Sequence, residues 1–198
     1  MEIPAVAIFF AAIFTSNILL VNFLGMCSFL SISREIKASV GLGLAVTFVL
    51  TTTSAIAYFL NEYILVPFGM EHLRYIVFIV VIAAFVQLVE IVIERISPIL
   101  YINLGIFLPL ITVNCAILGA SLFMVTNVTG RAFGTMDVLV YGFGTGAGWL
   151  VAILLMAGIR HRLRTAKIPA ALEGPGITLI ITGIMAMAFV IFQGMIKL

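Results

Sequence analysis

Read from the N-terminus, the chain alternates long apolar stretches with short polar breaks. Six stretches are uncharged or nearly so, running roughly over residues 3–30, 38–60, 73–93, 100–125, 138–159 and 176–196. Each is long enough to cross an apolar layer of about 30 Å as a helix, which takes about 20 residues. The alternating pattern of a transmembrane barrel strand is missing, and a helix is the other structure that satisfies its own backbone in lipid. The breakers Pro67, Gly69, Gly130, Pro169 and Gly174 fall in the connections. The pattern predicts an all-α integral membrane protein of six transmembrane helices, forming a single domain over residues 1–198.

The two halves, residues 1–96 and 97–198, also resemble each other. Each opens with a long span that holds a helix breaker and then a cysteine: Gly25 before Cys27, and Pro109 before Cys115. Each continues with a glycine-patterned span, carrying Gly41 and Gly43 in one half and Gly142, Gly144, Gly146 and Gly148 in the other. Each then has a proline four residues before a glutamate, Pro67 to Glu71 and Pro169 to Glu173. Three spans per half make the second copy enter the membrane from the opposite face. The expectation is therefore two inverted three-helix repeats, an arrangement whose sites lie near the midplane. The glycines read as close helix packing.

Composition agrees with the pattern. Hydrophobic residues make up 64% of the chain and charged residues 9%, against about 25% charged in a soluble domain. A net charge of +2, with no basic stripe interleaved with aromatics, gives nucleic acid nothing to bind. Six spans put both termini on one side, with Arg74, Arg131 and Lys197. The other side holds Arg34, Lys37, Arg95, Arg160, Arg162, Arg164 and Lys167. Seven basic residues against three put the second group in the cytoplasm and both termini outside, in the periplasm of a bacterial inner membrane. The cluster Arg160-His161-Arg162-Leu163-Arg164 supplies most of that bias and reads as a topological anchor.

Cys27 and Cys115 are the chain's two cysteines, too few for a disulfide framework. On straight helices they would lie near opposite faces of the membrane: Cys27 about 35 Å in from the outside, Cys115 about 28 Å in from the cytoplasmic side, at 1.5 Å per residue. A two-fold axis in the membrane plane lets equivalent residues meet only at the midplane, so both spans must break before their cysteine. Gly25 and Pro109 are suitable breakers. A lone free cysteine is usually a small buried hydrophobe; two at matched places argue for a ligand. Thiolates favour iron–sulfur clusters, zinc or cuprous copper. A [2Fe–2S] cluster usually takes four cysteines, so this chain would supply half the set and a homologous partner the rest.

Glu90 is the acidic residue best placed for an ion path. It lies about one turn inside the boundary marked by Arg95, on one helical face with Gln87 and Glu94; the bland alternative is interfacial anchoring. Glu35, Glu62, Glu71, Asp137 and Glu173 read as solvated loop residues. Gly142-Phe143-Gly144-Thr145-Gly146 lies in an apolar span with no strand before it, which argues against a phosphate loop. His72 and His161 have no ligand-spaced partners. A stand-alone secondary transporter would need more polar residues at mid-span, and a purely structural subunit would tolerate serine at both cysteines.

The stretches Phe23-Leu24-Gly25-Met26-Cys27, Gly41-Leu42-Gly43-Leu44-Ala45, Val86-Gln87-Leu88-Val89-Glu90, Leu104 through Cys115, and Tyr141-Gly142-Phe143-Gly144 closely resemble one family. It contains the D-type and E-type subunits of the sodium-translocating NADH:quinone reductase and the A-type and E-type subunits of the related Rnf complex. The resemblance covers essentially the whole chain. It implies a six-helix subunit paired with a homologous subunit of opposite topology, inside a multi-subunit respiratory complex whose other subunits carry flavins. It further implies a [2Fe–2S] cluster at the midplane, ligated here by Cys27 and Cys115, and a sodium path past Glu90. The outside termini match the E-type subunit of the reductase and the A-type subunit of Rnf. Thr112 through Cys115, Gly148-Trp149-Leu150 and Ala157 through Arg160 favour the quinone reductase, which is the expectation; Leu20 through Phe23 and the short Pro67–Arg74 loop favour Rnf.

Overall fold

The computed structural model describes residues 5–96, 111, 114–125, 134–166, 169 and 174–192. Every regular element among the described residues is helical. In chain order they are α1 (Ala5–Phe10), extended by a π-helical turn over Ala11–Thr15; α2 (Met26–Ile32); α3 (Ile36–Leu60), extended by a second π turn over Asn61–Leu65; a short 3-10 turn (Glu71–Leu73); α4 (Arg74–Ile96); α5 (Cys115–Val125); α6 (Thr135–Leu163); and α7 (Pro175–Val190). Three stretches are long and apolar enough to cross a membrane: Ile36–Leu65, Arg74–Val92 and Thr135–Leu163. Ala5–Thr15, Cys115–Val125 and Pro175–Val190 are shorter apolar helices. The expected break at Pro109 lies outside the described residues, as do Arg131, Lys167, Glu173 and Lys197.

The outer surface is apolar, as a chain dissolved in lipid requires. Tyr75, Ile76, Ile79, Val80, Leu88 and Ile91 cover the outward face of α4, all more than half exposed. A soluble monomer rarely leaves such a contiguous patch to water. With lipid outside, burial of apolar surface no longer drives helices together, and close van der Waals contact between small residues does so instead.

The glycines of α6 make that contact on two faces. Gly142 and Gly146 abut α3: a Cβ at Gly146 would lie 2.7 Å from the Thr47 Cα, and one at Gly142 would lie 3.2 Å from the Thr51 Cα. Gly144 and Gly148, two residues out of step, abut the first helix. There a Cβ would meet the Phe9 carbonyl at 3.2 Å and the Ile13 Cα at 3.0 Å. The packing role expected of these glycines is what they perform. From α3, Gly43 lies against Leu150 of α6. α6 is thus the central post, with α3 on one side and the N-terminal segment on another, and Trp149, Ile153 and Met156 fully buried along it.

The first span is broken, but earlier and over a longer stretch than a break at Gly25 alone implies. The chain leaves helical geometry after Thr15 and regains it at Met26. Asn17 is the physical reason. Its Oδ1 accepts from the backbone N–H groups of Leu19 (3.1 Å) and Leu20 (3.3 Å), a local alternative to the helical ladder. Its Nδ2 donates to the Ile13 carbonyl (2.8 Å) and to the Gly148 carbonyl of α6 (2.9 Å). Asn17 is fully buried, so the irregular backbone it holds is covered by protein there, whereas Asn22 and Phe23 further along are exposed. The stretch ends at Gly25, whose φ of +83° glycine adopts without strain.

Three of the acidic residues expected in loops sit in helical elements. Glu62 lies in the second π turn and Glu71 opens the short 3-10 turn. Asp137 is in the first turn of α6, where its Oδ2 accepts the Gly134 N–H at 3.3 Å; a carboxylate there caps free N–H groups and complements the helix dipole.

Candidate functional site

The irregular stretch ends against the sulfur of one of the two cysteines. Cys27 is the second residue of α2, and Cys115 is the first of α5. The Gly25 N–H donates to Cys115 Sγ at 2.9 Å, across ninety residues of sequence. The loop that starts one cysteine helix thus lies directly on the sulfur of the other. Both cysteines are free, and both are exposed on the surface of the chain.

The surroundings are built to hold this geometry. Asn114 Oδ1 accepts the Ala116 N–H at 3.0 Å, starting α5, while Asn114 Nδ2 donates to Ser28 Oγ at 3.3 Å. Ser28 Oγ donates in turn to the Gly25 carbonyl at 3.0 Å. These three residues are buried and link the starts of α2 and α5. Behind Gly25 stands Trp149, fully buried, so close that a Cβ on Gly25 would lie 2.8 Å from its Nε1. Gly25 thus sits between a buried indole and the sulfur of Cys115.

The donor set suits half of a four-thiolate site. Two soft thiols come from two different helices, one of them already accepting a backbone N–H, the kind of bond that tunes iron–sulfur clusters. The described residues contain no group of three His, Cys, Asp or Glu that could enclose a metal alone. A four-ligand centre built on Cys27 and Cys115 must therefore be completed from outside this set.

Glu90 takes no part in these hydrogen bonds. The inward face of α4 is Phe78, Ile82 and Val86, all buried, and Glu90 follows at the next i+4 position, half-buried. Gln87 is exposed, so the pair forms the edge of the helix rather than a shared buried face. Among the described residues no side chain pairs with Glu90 by a hydrogen bond or ion pair.

The basic cluster does more than the anchoring expected of it. Arg160 Nη1 donates to the Leu30 carbonyl at 2.9 Å and to Ser33 Oγ at 2.7 Å. Arg164 Nη2 donates to the Arg34 carbonyl. Sequence reasoning did not single out Asn17, Trp149 or Arg160 as parts of the site. Asn17 had a readable signal, a polar amide inside an apolar span. Trp149 and Arg160 were visible only as parts of a family motif and a basic cluster; their contacts here were not readable, because their partners lie more than 120 residues away.

Three helices long and apolar enough to cross a membrane, with a free, exposed cysteine at the start of each of two short helices, define a multi-pass membrane protein. Residues 5–196 match the family model described as "Rnf-Nqr subunit, membrane protein", and the chain belongs to that family. It is 46% identical over 193 residues to the A-type subunit of the ion-translocating oxidoreductase complex of Alcanivorax borkumensis, covering 98% of both chains. It is 45% identical to the protein of the same name from Thioalkalivibrio sulfidiphilus, over 96% of this chain and 97% of that one. The Yersinia enterocolitica counterpart, also of that name, is 44% identical over 96% of each. These relatives favour the Rnf branch over the quinone-reductase branch expected from the Thr112–Cys115 and Trp149 motifs.

Proposed function

We propose that this chain is the A-type membrane subunit of an Rnf-like, ion-translocating ferredoxin:NAD+ oxidoreductase. In this reading Cys27 and Cys115 are two of the four thiolate ligands of a [2Fe–2S] cluster. A homologous six-helix subunit of opposite topology supplies the others, and flavin-carrying subunits flank the pair. The observation that supports the reading is the contact of the Gly25 N–H, two residues before Cys27, with Cys115 Sγ, together with the exposure of both free cysteines. When bound, the cluster supplies one-electron transfer across the membrane interior. The chain's own part is to hold two thiolates outward, to donate the Gly25 N–H to one of them, and to keep water from behind them with Trp149. Whole-length relatives named as A-type subunits support the Rnf assignment. The purified complex should reduce NAD+ with reduced ferredoxin; NADH:quinone turnover without ferredoxin activity would move the chain to the quinone-reductase branch.

The orientation follows from the basic residues: both termini in the periplasm of a bacterial inner membrane, with the Arg160–Arg164 cluster in the cytoplasm. A reporter fused after Leu198 should be active only if it functions in the periplasm. Activity of a cytoplasm-dependent reporter would reverse the orientation and assign the partner-type subunit.

In this reading Glu90 belongs to the ion path. A half-buried carboxylate in a span, with no pairing side chain among the described residues, can hold a cation transiently. Glu90→Gln, nearly isosteric, should leave assembly intact and reduce the sodium dependence of turnover several-fold. Unchanged sodium dependence would return Glu90 to an anchoring role at the interface.

A further inference from the structure

We infer that Arg160 is a positioning residue for Cys27, acting through the half-helix that carries it; the inference rests on the ligand role proposed for Cys27. α2 has seven residues, Met26–Ile32. A helix that short does not hold itself together, since most of its groups lie at an end and nucleation is costly. Its position must be set by what it touches, and α6 touches both ends. At the start, Trp149 lies against Gly25. At the finish, Arg160 donates to the Leu30 carbonyl and to Ser33 Oγ. Leu30 is one turn beyond Cys27.

The spacing along α6 makes the two contacts one device. Trp149 and Arg160 are eleven residues apart, three helical turns, so they project from the same face about 16 Å apart. That span matches half-helix α2 plus the reach of an arginine side chain. A cation at the end of a helix also satisfies orphan carbonyls and complements the negative end of the dipole. Arg164, one turn further on, bonds the Arg34 carbonyl just beyond α2 and extends the clasp. The angle and depth at which Cys27 presents its sulfur are therefore set between Trp149 and Arg160.

A topological anchor needs only a positive charge near the interface. It does not need two hydrogen bonds to one half-helix. Arg162 provides the contrast: it carries the same charge, is exposed, and lies two residues round the helix, where it cannot share the face of Arg160.

The test uses the intact complex with Ser33→Ala, Arg160→Lys, Arg160→Ala and, as control, Arg162→Ala. Ser33→Ala keeps every charge and removes one of the two bonds. Two readouts are taken. One is the electron paramagnetic resonance spectrum and midpoint potential of the reduced iron site, with iron per complex. The other is the rate at which a permeant maleimide labels Cys27, followed by mass spectrometry of its peptide in a Cys115→Ser background that needs no iron. Arg160→Ala is expected to raise the labelling rate several-fold and to shift the spectrum and potential or lose iron. Ser33→Ala and Arg160→Lys should do so to a smaller degree, and Arg162→Ala should match the parent in both. Should Arg160→Ala fail to assemble, Ser33→Ala and Arg160→Lys decide. Parental labelling and spectra in all the Arg160 and Ser33 variants would overturn the inference while leaving the ligand reading intact. A parent complex without iron at this site would instead overturn the ligand reading, and the labelling rates alone would then decide the role of Arg160.

Discussion

In a Cys115→Ser variant the purified complex is expected to lose the iron held at this site, and Cys27→Ser should do the same. A serine hydroxyl stays protonated near neutral pH and is a hard oxygen donor, whereas iron–sulfur chemistry selects soft thiolates. The loss should not come from unfolding. Both side chains are exposed on the chain, so neither substitution opens a cavity in the packed interior. Flavins on the electron-donor side should still be reduced, while turnover to the acceptor falls to background. The paired subunits should separate more readily in detergent, because the shared ligand set bridges them. Full iron content in the Cys27→Ser, Cys115→Ser double variant would show that both thiols are ordinary surface residues of the interface.

Gly25→Ala is the second large effect, and it needs no change in any ligand. Gly25 has a φ of +83°, which costs a residue with a Cβ about 1–2 kcal/mol. The new methyl would also lie 2.8 Å from Trp149 Nε1 and 3.0 Å from Asn114 Oδ1. Overpacking of that kind typically adds about 1–3 kcal/mol. Trp149 is fully buried, and Asn114 is committed to the Ala116 N–H and Ser28, so neither neighbour is free to yield. The turn must open, and the Gly25 N–H moves off Cys115 Sγ. Iron content should fall to a small fraction of the parent's, with both cysteines present and reactive. Gly69→Ala serves as the contrast, since Gly69 also has a positive φ, +64°, but nothing lies within 4 Å of its would-be Cβ. It should cost stability through backbone strain alone and retain iron. Parental iron in Gly25→Ala would show that the two thiols do not depend on this turn.

The residues on which the proposed site is built stood out in the sequence, because cysteines are rare in it. Two cysteines in an apolar chain stand out, and so does the breaker two residues before one of them. Gly25 does end the irregular stretch ahead of Cys27, as expected. The extent of that stretch was not legible, because it depends on Asn17 finding the Gly148 carbonyl, 131 residues away. The expectation for the glycines of the fifth apolar stretch held in kind but not in detail. Their spacing marked close packing; that alternate glycines serve two different neighbours, α3 and the first helix, follows only from where those helices lie. The basic cluster shows the same limit. Its charge was read correctly as a feature of one end of a span, but a charge count cannot show that Arg160 bonds the end of a half-helix.

The division between pattern and packing has a physical basis. Whether a segment enters lipid depends on transfer free energies that add residue by residue, so hydropathy along the chain was enough to establish an apolar, helical membrane protein. Which residues meet depends on van der Waals fit and hydrogen bonds between segments far apart in sequence, since inside lipid no hydrophobic force selects partners. Gly25 on Cys115, Trp149 behind Gly25 and Arg160 on Leu30 are all contacts of that second kind. They join α2, α5 and α6 across the length of the chain, and only the folded arrangement brings them together.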